Sequence, residues 1–164
     1  GFIPVTCFSQ ALTTFIGQNL GAKEYDRAKK GALFGTICGI GIAEVIGIAV
    51  FFFSPYLIAA FGGDQKAIEY GIAEAHTIAL FYCLLAFSHC MAAIQRGAGR
   101  SIVPMFVMML VWCGVRVTYI SIVIRIIPVI NVIYWAYPLT WFISSVIFLI
   151  LFLKTDWIHG LEKQ

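Results

Sequence analysis

Five apolar stretches, each long enough to cross a bilayer, follow one another along this chain with only short polar joints between them. A hydrocarbon core about 30 Å thick needs about 20 residues of helix. The stretches are 2–20, 31–53, 71–94, 101–124 and 129–153, labelled A to E. In lipid every backbone N–H and C=O must find its partner within the segment, so only helices and closed barrels span. The runs lack period-two alternation, which argues against a barrel. Composition agrees, with 61% hydrophobic residues, 12% charged and a mean hydropathy of +0.93, whereas soluble domains carry roughly a quarter charged residues. The predicted class is an all-α integral membrane protein of five transmembrane helices.

The chain enters segment A at once from Gly1, without Met, a basic flank or an A-x-A cleavage pattern, so it does not read as a signal peptide. The expectation is a fragment with further membrane segments upstream. Cys7, Cys38, Cys83, Cys90 and Cys113 all fall within apolar segments without metal spacing, and read as buried free thiols. No H-E-x-x-H, G-x-S-x-G or phosphate loop occurs, so the chain does not read as an enzyme and no metal site is expected.

Charge placement predicts orientation. The A–B joint holds Lys23, Arg27, Lys29 and Lys30, the C–D joint Arg96 and Arg100, and the tail Lys154 and Lys163; the opposite side offers only Lys66 and Arg125. By the positive-inside rule the first side, with the C-terminus, is cytoplasmic. These bases are too thinly spread, and too free of interleaved aromatics, to bind nucleic acid. In the B–C joint Ser54-Pro55 is expected to stop B, Tyr56 to Phe61 to lie at the interface, and Gly62-Gly63-Asp64 to turn the chain before a helix start at Gln65 to Glu69. Only Arg125, Pro128 and Asn131 separate D from E, and one long kinked helix is the alternative there. Pro104 sits in the first turn of D, whereas Pro138 sits inside E, where it removes a helix hydrogen bond and favours a kink.

Segment B repeats small residues every fourth position, at Gly31, Gly35, Gly39, Ala43 and Gly47. That spacing makes a face for close helix crossing, either static or sliding. Glu44 and Arg116 carry charge at membrane depth, which costs several kcal/mol unless paired or wetted. Counting about 1.5 Å per residue from the cytoplasmic ends puts Glu44 about 20 Å deep and Arg116 about 22 Å, with Gln10, Tyr137, Thr140 and Trp141 in the same layer. Two readings compete. In one, Glu44 takes up a proton or cation in a wet cavity, Gln10, Tyr137 and Thr140 are its polar neighbours, and Trp141 walls an apolar or cationic ligand. In the other, Glu44 and Arg116 neutralise each other between helices, or Arg116 snorkels to the outer surface. Glu74 and His76 are expected at the surface in the first turns of C, and His89 beside Cys90 carries no assigned role.

Several motifs in order resemble the C-terminal lobe of the multidrug and toxic compound extrusion (MATE) family. They are Thr14-Phe15-Ile16-Gly17-Gln18-Asn19-Leu20-Gly21-Ala22 with Glu24 to Gly31, then Phe61-Gly62-Gly63-Asp64, Gln95-Arg96-Gly97-Ala98-Gly99-Arg100 with Pro104, and Tyr137-Pro138-Leu139-Thr140-Trp141. The resemblance spans essentially all of 1–164 and implies helices eight to twelve of a twelve-helix, two-lobe exporter. It also implies a missing N-terminal lobe as partner, alternating access, and sodium or proton entry driving export of amphipathic, often cationic compounds across the cell membrane, without a cofactor. Sodium-coupled members can carry an Asp that aligns near Ala92, and here that acid is absent. A lipid-linked precursor flippase of the same superfamily and a non-transporting membrane scaffold are the alternatives.

Overall fold

The computed structural model describes residues 2–127 and 129–158, so Lys163 and Pro128 lie outside the described residues. The described residues are helical with no strand among them, and run as α1 (Phe2–Gly21), α2 (Tyr25–Ala60), α3 (Gln65–Ala79), α4 (Tyr82–Gly97), α5 (Ile102–Met108), a π-helical stretch (Met109–Val115), α6 (Arg116–Ile126) and α7 (Asn131–Lys154). Three helices have the length and apolarity to cross a membrane: α2, the continuous 102–126 rod, and α7, with mean hydropathies of 2.2, 2.0 and 2.1. The α3–α4 pair makes a fourth when taken as one broken span. The expected count of five is thus met only to three or four. The shortfall is α1, which has 20 residues but spends many of them on Gln10, Gln18, Asn19 and hydroxyl side chains.

Segment B is longer than expected at both ends. Its first turns, from Tyr25, carry Asp26, Arg27, Lys29 and Lys30, and the helix continues through Pro55 to Ala60. Ser54-Pro55 therefore does not stop it. Pro55 cannot donate to the Phe51 carbonyl one turn back, but the Ser54 hydroxyl donates to that same carbonyl at 3.5 Å. A neighbouring hydroxyl takes the place of the lost N–H, as hydroxyls do at prolines in apolar surroundings.

Segment C is not one straight helix either. It starts at Gln65, within the expected helix start, behind a Gly62-Gly63 turn with φ of 71° and 145°, and bends by 57° between α3 and α4. His76 consequently falls in the last turn of α3, not the first turns of C, and stacks on Phe51 at 4.3 Å. D and E separate as two helices, Ile127 turning extended at φ −127° and ψ 93°. Helix α7 runs unbroken through Pro138.

Two clusters hold the bundle together. One gathers Ile16, Leu20, Ala28, Ile94, Ala98, Phe148 and Trp157. The other gathers Val5, Ala43, Tyr82, Leu85, Ala86 and Trp141. The small-residue face of α2 is a tight crossing: a Cβ at Gly35 would stand 2.6 Å from Leu12, one at Gly39 2.7 Å from the Cys90 sulfur, and one at Gly47 2.6 Å from the Ala79 carbonyl oxygen. The five thiols are free, but only Cys90 is buried, while Cys7 and Cys113 are exposed. The expectation of uniform burial fails because α1 and the π-helical stretch turn those residues outward, where a small apolar thiol costs little in lipid.

The three basic joints meet at one end of the bundle. Gly99, at φ 78°, closes α4 with Arg100 N–H bonded to the Gln95 carbonyl at 2.9 Å. The Arg100 guanidinium then reaches the Asp156 carbonyl at 3.0 Å, beyond the end of α7. Trp157 packs with Tyr25 and Ala28 from the start of α2, so the α1–α2 turn lies there too.

Candidate functional site: mid-segment polar groups

The membrane-depth residues divide into two groups. Arg116 begins α6 directly after seven residues of π-helix, a distortion that re-aims side chains and is frequent at functional sites. Its Nη2 donates to Thr140 Oγ1 at 2.7 Å. The guanidinium carbon lies 4.3 Å from the Tyr137 ring centre and 5.8 Å from that of Trp112. Thr140, buried on α7, passes its own proton to the Ala136 or Tyr137 carbonyl at 2.9 and 3.0 Å. The Arg116 Nε is buried without a hydrogen bond. The guanidinium is held by one hydroxyl and two π faces, an attraction that strengthens when desolvated.

Glu44 belongs elsewhere. Its Oε1 accepts the backbone N–H of Cys83 at 3.1 Å. Cys83 is the second residue of α4, and its N–H is one of the donors that a helix start leaves orphaned. No side chain of α4 or the residue before it caps that start, so a carboxylate from α2 does so across the helix boundary, where it also complements the positive end of the helix dipole. No ion pair joins Glu44 to Arg116. The depth count brought them to one layer without fixing which way each faces.

Trp141 is 2% exposed and packs edge-on to Tyr82 and Tyr137 at 6.2 and 6.1 Å. In this conformation it is core and offers no open ring face. Gln10 is exposed on α1, apart from both groups. Tyr137 is half-buried beneath Arg116.

A third polar group was not foreseen. The Ser88 hydroxyl sits 2.9 Å from both Ser144 and Ser145 hydroxyls, Ser145 donates to the Leu84 carbonyl at 3.1 Å, and Trp112 Nε1 donates to Ser144 at 3.3 Å. This network ties α4, α7 and the π-helical stretch together beside His89, whose ring meets Trp112 edge-on at 5.4 Å. The signal for it was present: serines in the middle of apolar helices pack inward as hydrogen-bonding glue.

Two cavities open on α2. One of about 150 Å³ lies between α2 and the α3–α4 break, lined by Glu44, Gly47, Phe51, Ala79 and Leu80 among others. The larger, about 500 Å³, is apolar, with Thr36, Phe87 and Phe152 in its wall and Lys29 at the basic end. No three His, Cys, Asp or Glu side chains converge as a metal cluster among the described residues.

The MatE family profile matches residues 1–120. The chain belongs to the MatE family. A curated relative, "Probable multidrug resistance protein NorM" of Thermotoga maritima, is 29% identical over 106 residues. That match takes in 65% of this chain and 23% of the relative, so the chain matches about a quarter of the relative's length. As a MatE-family chain with apolar membrane-length helices, it is an integral membrane protein, and the motif order along 14–104 falls within the matched region.

Proposed function

We propose that this MatE-family chain forms the C-terminal-lobe portion, helices eight to twelve, of an antiporter that exports amphipathic, often cationic compounds, driven by sodium or proton entry. In this reading α1, α2, the bent α3–α4 pair, the 102–126 rod and α7 are the five spans, and an N-terminal lobe of the same protein supplies the other half. The two bundles rock about a shared cavity to alternate access. The basic end carrying Lys29, Arg96 and Arg100 faces the cytoplasm in the cell membrane.

The observation that carries the proposal is the family match over residues 1–120, most of the chain. The mid-segment polar groups fit it. A transporter must keep ionisable side chains at membrane depth off the lipid, and Glu44 and Arg116 each find polar partners inside the bundle. Arg116 and Tyr137, both half-buried, and the exposed Gln10 supply polar lining where the lobes meet. Among the described residues Arg116 is the only Lys or Arg counted at mid-depth, which favours this reading over a flippase for lipid-linked anions, whose cavity needs several.

The test uses the full-length protein in proteoliposomes loaded with a cationic dye. Export is expected to stop when the sodium and proton gradients are both collapsed by ionophores. Export that persists with both gradients gone, or no export at all, rejects the reading.

A further inference from the structure

The transport reading leaves the larger cavity unused. Helices α2 and α7 each pack along α4 without packing on one another, which leaves a groove between them with α4 as its floor. Ala32 and Thr36 of α2 and Met91 of α4 are buried in its lining, Phe87 and Phe152 are half-buried there, and Leu33 and Leu149 stand exposed at its rim. Beyond the end of α7, Trp157 is buried against Tyr25 and Ala28 at the start of α2, and with Ile158 it bounds the groove at the basic end. The result is an enclosed groove of about 500 Å³, within the range of about 300–1,000 Å³ typical of small-molecule sites.

Its chemistry is one-sided. Thr36 spends its hydroxyl proton on the Ala32 carbonyl at 2.8 Å, so water in the groove would find too few polar partners to be held. The one charge in the lining is the Lys29 ammonium, exposed and engaged in no ion pair among the described residues. Lys29, Leu33 and Thr36 share one face of α2 at i, i+4 and i+7, so the apolar lining runs about 10 Å along the helix away from that charge. The hydrocarbon of one leaflet is about 15 Å deep. The groove therefore fits within one leaflet and has its charged end at headgroup level. A matching ligand has an anionic head and a long apolar tail. A transported organic cation would meet like charge at Lys29, and a free phosphate would leave the apolar length empty. At this end bases from three joints outnumber the acids Glu24, Asp26 and Asp156, and basic sites between helices on the cytoplasmic side attract acidic lipids.

We propose that the groove between α2 and α7 holds an acyl chain of an anionic phospholipid whose phosphate is bound by the Lys29 ammonium. The site lies apart from the transport reading and is scored without transport. Full-length protein is reconstituted in phosphatidylcholine vesicles containing a trace of phosphatidylglycerol with a diazirine on one acyl chain. After irradiation, labelled residues are mapped by peptide mass spectrometry. Label is expected on groove residues such as Met91 and Phe152, and the same diazirine chain on a phosphatidylcholine head is expected to label them about fivefold less. Lys29→Gln should lower the phosphatidylglycerol label there about fivefold, while Lys29→Arg keeps it and Lys66→Gln, at the opposite end, leaves it unchanged. Excess glycerol 3-phosphate should not compete. Equal labelling from the two heads, or labelling unchanged in Lys29→Gln, overturns the site. Competition by glycerol 3-phosphate overturns the lipid in favour of a free phosphate ligand. An unlabelled groove overturns it as well, and shows that an element outside the described residues fills the space.

Discussion

Gly47→Ala should be the most damaging single methyl that can be added to α2's small-residue face where a backbone stands in the way. The added Cβ would sit 2.6 Å from the Ala79 carbonyl oxygen. That oxygen is backbone, fixed by the end of α3, and cannot swing aside as a side chain does. Forced overpacking of this kind costs about 1–3 kcal/mol, set against a gain of about 1 kcal/mol for replacing Gly by Ala inside a helix. The internal control is Gly41, six residues earlier, which has nothing within 4 Å of its own added Cβ. Gly41→Ala keeps the helix gain and pays no steric term. The two variants should therefore differ by about 1–3 kcal/mol in the sense that Gly47→Ala is the weaker. Reversible unfolding of the full-length protein by SDS in mixed micelles measures the difference. If Gly47→Ala proves as stable as Gly41→Ala, the close approach of Ala79 to α2 is wrong, and with it the account of the bend.

Three further outcomes are expected. A double-mutant cycle of Arg116→Lys and Thr140→Val in the same unfolding assay should give a coupling of about 0.6 kcal/mol and at most about 1.7, the range for hydrogen bonds between membrane helices; zero coupling would mean that the 2.7 Å contact is not formed. Ser88→Ala should cost no more than about 1.5 kcal/mol, because Ser144 and Ser145 keep backbone acceptors at Trp141 and Leu84 and only a shared hydroxyl is lost; a collapse of folding, seen by size exclusion, would show the hydroxyl to be the sole link. Maleimide modification of the native protein should reach Cys90 more slowly than any of the other four thiols, since Cys90 is 1% exposed; peptide mass spectrometry over time decides it.

How much of this was legible in the sequence follows from what each signal measures. Apolar length identified α2, the 102–126 rod and α7, and the Gly62-Gly63 turn and the Gly99 closure stood at the positions their φ values demand. The bend after Ala79 was invisible, since Leu80 and Phe81 are neither glycine nor proline and the side chain that caps the new helix start, Glu44, lies 39 residues away from Cys83. Pro55 misled for the opposite reason, because Ser54 repaired locally what the proline removed. Residue counting placed Glu44, Arg116, Thr140 and Trp141 at one depth, but depth is a single coordinate. The direction in which each side chain leaves its helix sent Arg116 to Thr140, Glu44 to α4 and Trp141 into the core.

Helix α2 runs 36 residues without interruption, about 54 Å at 1.5 Å per residue, well beyond the oily thickness of a bilayer. A stiff rod that long acts as a mechanical lever. Tilting it by about 10° around a fulcrum at its midpoint would sweep the two tips about 5 Å each in opposite directions. The tip at Tyr25 carries Lys29 and Lys30 within its first two turns, and the other is followed by the aromatic Phe61. Any motion begun at one leaflet is thus delivered, inverted and undiminished, to the other.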